Sequence, residues 1–83
     1  MTIKRGAQIA YIPMHAEGDR EHPHVEFGFV TSVRGDTAYC RYWRRGHIGE
    51  LRTTANSEGT GIDMLEECPS VPQSTVDRLL ESM

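Results

Sequence analysis

The stretch that decides the fold is EFGFVTSVRGDTAYCRYW, residues 26–43. Apolar residues recur with a period of two through residues 25–33, and residues 37–43 are rich in β-forming side chains. The tripeptide Arg34-Gly35-Asp36 links the two runs, and its glycine supplies the positive φ that a tight turn needs. The sequence therefore predicts two antiparallel strands joined by a short hairpin turn.

The flanking segments predict three more strands and one helix. Residues 6–13 alternate between two faces until Pro13 removes a backbone donor. Residues 44–50 are typical of a glycine-punctuated loop, 51–55 of a fourth strand, 56–61 of a turn region and 62–67 of a fifth strand. In the tail, Val76, Leu79 and Leu80 fall on one helical stripe. Five short strands favour a small closed barrel, because closure removes exposed strand edges.

Nearly half of the chain also carries a family resemblance. A strand ending in Tyr-x-Pro is followed by a His-Ala-x-Gly-Asp-x-x-His-Pro loop and by Glu-x-Gly-x-Val-Thr-Ser-Val, within residues 11–33. This pattern resembles a group of small, mostly uncharacterised bacteriophage and prophage proteins that look like SH3-like barrels. Residues 26–43 are also similar to the glycine-centred strand pair of KOW and Tudor barrels. The resemblance implies an SH3-like barrel of viral or prophage origin, although the C-terminal helix departs from the usual end of the group. Together with the residue patterns above, we expect a mainly β protein, a small SH3-like five-stranded β-barrel with a short C-terminal α-helix.

The length and the net charge of the chain limit the number of domains and the kinds of partner that we expect. The 83 residues suffice for one domain, 1–83, which we expect to comprise a barrel at about 6–68 and a helix at about 72–82. The net charge is −3, and residues 57–83 hold one basic residue against six acidic ones. Such a chain is not expected to coat DNA through many phosphate contacts. The sequence predicts no membrane association, so we expect a cytoplasmic protein of a bacterial host cell.

The segment between the first two strands contains the densest set of potential ligands. His22 and His24 are two residues apart, with His15 upstream, and the set suits zinc by its donor types. No Cys pair or helical His spacing fixes a geometry, however. The alternative is a packed loop in which His15, Asp19 and His22 bond to the local backbone. The sequence favours that alternative and predicts no metal or other cofactor. We also consider the loop a candidate binding surface, formed by His15, Glu17, Asp19, His22 and His24.

A second candidate surface combines aromatic and basic side chains along the third strand and the residues after it. Its members are Tyr39, Arg41, Trp43, Arg44, Arg45, His47 and Arg52. Interleaved aromatics and arginines can stack on bases and pair with phosphates, and they are also enriched at protein interfaces. The structural alternative is that Trp43 packs under the tail helix while the arginines pair with the acidic C-terminal segment.

The sequence gives no catalytic constellation. It contains neither a glycine-rich phosphate loop nor a G-x-S-x-G elbow, so we expect a protein that is not an enzyme. The favoured hypothesis is a phage-type accessory protein that binds a host protein or ribonucleoprotein complex, for example an anti-CRISPR-like inhibitor of host defence. A KOW-like nucleic-acid-binding module is the alternative. A zinc-binding structural or catalytic unit is the third possibility.

Overall fold

A computed structural model describes residues 3–44, 46–52 and 58–82 of the chain. This part of the chain forms six strands, two short 3-10 turns and one helix. In chain order they are β1 Gln8–Tyr11, a turn at Met14–Ala16, β2 Glu26–Arg34, β3 Thr37–Arg44, β4 His47–Leu51, β5 Glu58–Gly61, a turn at Ile62–Met64, β6 Leu65–Glu67 and α1 Gln73–Glu81. The predicted mainly β fold with a short C-terminal helix is confirmed.

The strands form one antiparallel sheet with the order β4-β3-β2-β1-β6, and β5 also pairs with β3. The central hairpin is the predicted one, since Arg34 pairs with Thr37 and Gly35 has a φ of +56°. Strand β3 pairs with β5 through its first half and with β4 at its end. Strand β3 is therefore covered by other strands along both of its edges.

The sheet curls around an inner apolar cluster. Leu65 of β6 and Cys40 of β3 belong to this cluster although two strands separate them in the sheet. Its buried members are Ile9, Val30, Ala38, Cys40, Tyr42 and Leu65. No backbone pairing among the described residues joins β6 to the far edge of the sheet, so a closed SH3-like barrel stays a prediction.

The helix covers the opposite face of the sheet. Val76 is fully buried against Phe29 and Trp43, and Leu79 and Leu80 pack around them. The helical stripe predicted from the spacing of apolar residues is thus the face that contacts the sheet. No helix in the described ranges has the length and apolar character that crossing a membrane requires.

A buried glutamine fixes the chain that leads into the helix. Gln8 accepts hydrogen bonds from the backbone N–H groups of Ser70 (2.9 Å) and Val71 (3.0 Å) through Oε1. Its Nε2 donates to the carbonyl of Val71 at 2.8 Å and to the side chain of Gln73 at 3.2 Å. Because a buried amide is costly unless it is hydrogen-bonded, this set of bonds specifies where the helix begins relative to β1.

Several predicted boundaries were wrong, and the six strands exceed the five expected. The predicted loop at 44–50 contains β4, and the predicted turn at 56–61 contains β5. Both segments are poor in β-forming residues, but the edge of β3 supplies hydrogen bonds that override local propensity. Of the predicted strand 62–67, only Leu65–Glu67 is extended. The predicted strand 51–55 starts at the last residue of β4, and 53–55 lie outside the described residues.

Strands β2 and β3 approach so closely at Gly28 that a side chain is excluded there. A Cβ on Gly28 would lie 2.0 Å from the carbonyl oxygen of Arg41 and 2.8 Å from the Cα of Tyr42. Both neighbours are backbone atoms in the middle of the sheet, so neither is able to move away without disturbing the strand pairing.

We therefore expect Gly28→Ala to lower the free energy of unfolding by roughly 1–3 kcal/mol or more, as overpacking does in cores. Urea denaturation followed by Trp43 fluorescence measures this loss. Ser32→Ala, at an exposed position of the same strand, is the control and should change stability by less than about 0.5 kcal/mol. Equal stabilities of the two variants would contradict the close approach.

Candidate metal centre

The loop between β1 and β2, residues 12–25, is a succession of tight turns. Five backbone hydrogen bonds each run from the N–H of one residue to the carbonyl three residues earlier. They join Ala16 to Pro13, Glu17 to Met14, Asp19 to Ala16, His22 to Asp19 and Val25 to His22, at 2.9–3.2 Å. Glu17 and Gly18 have φ values of +52° and +79°, which reverse the chain at the tip of the first turn. The loop is consequently compact and internally bonded along its length.

The loop is also tethered to the sheet. Ala16 and Val25 are buried, and Ile12 donates its N–H to the carbonyl of Met64 at 3.1 Å. Arg20 pairs with Glu66 of β6, with 2.7 Å between Nε and Oε2, and this hydrogen bond raises the pKa of the Arg20 guanidinium. These contacts fix the position of the loop relative to β6.

Three histidines converge on this scaffold. The ring centroids of His15, His22 and His24 lie 4.9–5.2 Å apart, and one potential ligand atom from each lies within 4.8 Å of the others. His15 Nε2 and His24 Nδ1 are 2.7 Å apart. In a tetrahedral zinc site with Zn–N bonds of about 2.0–2.1 Å, ligand nitrogens lie about 3.3 Å apart. The contact of 2.7 Å is shorter than this separation and the limit of 4.8 Å is longer, so the rings must shift to place all three nitrogens around one ion.

The local backbone bonds expected of a packed loop are present as well. Asp19 Oδ1 accepts the N–H of Glu21 at 2.9 Å, and His22 Nδ1 accepts the N–H of His24 at 3.0 Å. A neutral His22 ring that accepts at Nδ1 carries its proton on Nε2. Metal binding through Nε2 thus requires the proton to move to Nδ1 and the bond from His24 to open, whereas binding through Nδ1 replaces that bond directly.

Acidic residues surround the histidine cluster. The loop, residues 12–25, contains Glu17, Asp19 and Glu21 against one basic residue, Arg20, while Glu26 at the start of β2 is paired with Arg52. Because the charge of Arg20 is paired with Glu66, the field of the loop favours a cation. Glu17 and Asp19, predicted as members of a binding surface, are exposed and lie outside the group of three histidines.

The aromatic and basic surface predicted along β3 is not assembled around its tryptophan. Trp43 is only 3 % exposed and packs against Phe29, with 5.4 Å between ring centroids, beneath Val76 of the helix. A surface stacking role for Trp43 is therefore incompatible with its position in the core. This placement is the structural alternative considered from the sequence, and it follows from the apolar area that an indole ring buries.

The remaining members of that surface are divided between ion pairs and half-buried positions. Arg44 pairs with Glu50 of β4 at 2.9 Å, and Arg52 pairs with Glu26 of β2 at 2.6 Å. His47 Nδ1 lies 3.5 Å from a carboxylate oxygen of Glu50.

Tyr39 and Arg41 are half-buried on β3, and Arg45 lies outside the described residues. Arg44 and Arg52 line a cavity of about 280 Å³ whose wall includes Trp43. Two of the four arginines of the predicted surface thus line this cavity, and a role for it in binding stays a prediction.

Comparison with protein-family models, curated proteins and solved structures gives no match for this chain. The resemblance to phage and prophage proteins thus remains an expectation from the sequence. All three converging histidines were identified from the sequence, whereas their tether through Arg20 and Glu66 was not. Those two residues are 46 positions apart, and no local pattern signals such a pair.

The buried position of Trp43 gives a stability test. Trp43→Ala should lower the free energy of unfolding by roughly 3–5 kcal/mol because it leaves a cavity beside Phe29 and Val76. Trp43→Phe should cost much less, since Nε1 of Trp43 has no hydrogen-bond partner among the described residues. Thermal and urea unfolding of both variants measure the difference. A fully stable Trp43→Ala variant would contradict the core position.

Proposed function

We propose that this protein is a metal-binding β domain that holds one divalent transition-metal ion, such as zinc, on His15, His22 and His24. The observation that supports the proposal is the convergence of one nitrogen from each ring to within 4.8 Å. Three imidazoles are a ligand set found in zinc sites that keep a further position for water or substrate. The proposal takes up the zinc-binding possibility that the sequence analysis ranked third.

The arrangement of the rings favours a metal over hydrogen bonds within the cluster. A neutral imidazole has one donor and one acceptor nitrogen, and among the three rings one hydrogen bond joins two ring nitrogens, Nε2 of His15 and Nδ1 of His24. His15 and His24 are exposed, so water alone would satisfy them in many other orientations. Convergence of all three rings at the same point is the arrangement that an ion stabilises.

The donor types restrict the class of metal. Imidazole nitrogen suits zinc, copper, nickel and iron, whereas calcium and magnesium require sets of oxygen ligands. The affinity of nitrogen sites increases along the divalent series toward copper, so these residues alone do not select zinc over copper. We use zinc as the test ion because it has no redox chemistry and no geometric preference from its d electrons.

The scaffold lowers the cost of binding. The turns of residues 12–25 and the tether from Arg20 to Glu66 already hold the segments that carry the histidines. Less conformational entropy is lost on binding when the ligands are fixed beforehand. Binding of a host macromolecule by this loop, in a phage-type accessory role, is a compatible proposal that rests on the sequence resemblance, and the ion would further order the surface involved.

Zinc titration of the untagged protein tests the proposal. Calorimetry should give one ion per chain, and binding should weaken as the pH falls because protons compete for the imidazole nitrogens. At a free zinc concentration 100-fold above Kd, the ion should stabilise the domain by about 2.7 kcal/mol, equivalent to roughly 10–20 °C in Tm for a domain of this size. Addition of a chelator should reverse the shift.

Single substitutions assign the ligands. His15→Ala, His22→Ala and His24→Ala should each weaken zinc binding more than about 100-fold, since loss of an outer hydrogen bond to a ligand alone costs roughly 10–100-fold. His47→Ala is the matched control, because His47 is exposed on β4 and lies outside the cluster, and it should bind zinc as the wild type does. A wild-type Tm that is unchanged by zinc and by chelator would rule out the proposal.

A further inference from the structure

We infer that the metal ion held by His15, His22 and His24 keeps one coordination position open to solvent, and that this position takes a small monodentate anion. The inference rests on the proposed function and specifies the class of ligand that the site accepts. It would make the site a binding centre in its own right, in addition to an element that orders the loop.

The number of protein ligands is the first argument that one coordination position is open. Zinc prefers four ligands in a tetrahedron, and sites that serve only folding are closed by four protein ligands. Among the histidines, cysteines and carboxylates of residues 3–44, 46–52 and 58–82, three histidines alone form the group around this point. One position of the tetrahedron is therefore left for a ligand from outside this group.

Ion pairs and hydrogen bonds already engage several carboxylates on or next to the loop. Asp19 Oδ1 accepts the backbone N–H of Glu21 at 2.9 Å. Glu26 is paired with Arg52 at 2.6 Å, and Glu66 is paired with Arg20 at 2.7 Å. A move of Glu26 or Glu66 to the ion would break an ion pair of the sheet or of the loop, and Oδ1 of Asp19 is held by the backbone of its own turn.

The two cysteine thiols also lie outside the group of three histidines. Cys40 is buried in the inner cluster of the sheet, and Cys68 lies next to Arg20, with 3.8 Å between Nη1 and Sγ. Glu17 and Glu21 are exposed carboxylates on the loop itself. As exposed carboxylates of the same loop they are candidate competitors of an external ligand, so the experiment includes them.

The exposure of the histidines and the charge of the metal ion indicate that the open position takes an anion from solvent. His15 and His24 are exposed and His22 is half-buried, so the ion lies at the surface where solvent reaches it. Three neutral imidazoles leave the charge of a divalent ion uncompensated by its ligands. An anion that binds the metal directly gains a short-range attraction that the more distant loop carboxylates do not cancel.

Cobalt substitution tests this inference, because the visible spectrum of Co²⁺ reports its coordination. The untagged protein is loaded with one equivalent of Co²⁺ and titrated with azide at constant ionic strength and pH. We expect a saturable change in the visible absorption with a stoichiometry of one azide per cobalt. The His47→Ala variant should give the same titration, whereas His24→Ala should lose both the cobalt spectrum and the azide response.

A second experiment identifies any protein group that occupies the fourth coordination position of the metal. The double variant Glu17→Gln/Glu21→Gln is titrated in parallel, and sedimentation velocity measures whether cobalt joins two chains. An azide response that appears only in the double variant would show a loop carboxylate on the metal and overturn the inference. A cobalt-dependent dimer that is silent to azide would overturn it as well, because a second chain would then supply the fourth ligand.

The result also separates this inference from the proposed function. Tight binding of cobalt and zinc with no spectral response to azide leaves the metal site intact and overturns the open position alone. Failure of the wild-type protein to bind either metal overturns both. A saturable azide response in a monomer that requires all three histidines supports both.

Discussion

The central hairpin is buried on both of its faces, and the rest of the structure follows from that constraint. Phe29 and Val30 are consecutive residues of β2, point to opposite sides of the sheet and are both fully buried. Tyr42 and Trp43 repeat the arrangement on β3. A domain of 83 residues has few elements with which to cover two apolar faces, so each face is covered in a different way.

One face is covered by the curl of the sheet and the other by the helix. Curling brings β6 over the inner face, where Leu65 joins the cluster around Val30. The helix places Val76 on the outer face against Phe29. Gln8 connects the sheet to the helix, because it lies on β1 and its side chain is hydrogen-bonded to the segment that leads into the helix.

The position of the histidine cluster is a consequence of this packing. Residues 12–25 leave the sheet after Tyr11 and return at Glu26, and these two residues are paired partners in neighbouring strands. The loop therefore starts and ends at fixed, adjacent points. Successive turns fill its interior, and Ala16 and Val25, which follow His15 and His24, are buried, so the histidines on its two arms are brought together. The proposed metal site would thus be ordered largely by the backbone of the loop, and two of its three histidines are exposed to solvent.

The sequence by itself determined the features that depend on short-range chemistry. The alternation of residues 26–43, the glycine of the turn and the helical stripe at Val76 are local patterns, and each has its predicted structure. The three histidines were likewise recognisable as nitrogen donors from their type and spacing. Only the tertiary structure decided that their rings converge, because that depends on turn angles such as those at Glu17 and Gly18.

The same distinction explains the predictions that were wrong. Strands β4 and β5 have weak local propensity and are extended because the edge of β3 supplies their hydrogen bonds. For Trp43 the sequence left two alternatives open, a binding surface and packing under the tail helix, and in the structure its side chain packs with Val76 of the helix. Burial and convergence depend on partners that are distant in sequence, such as Val76 for Trp43, and only the folded chain brings these partners together.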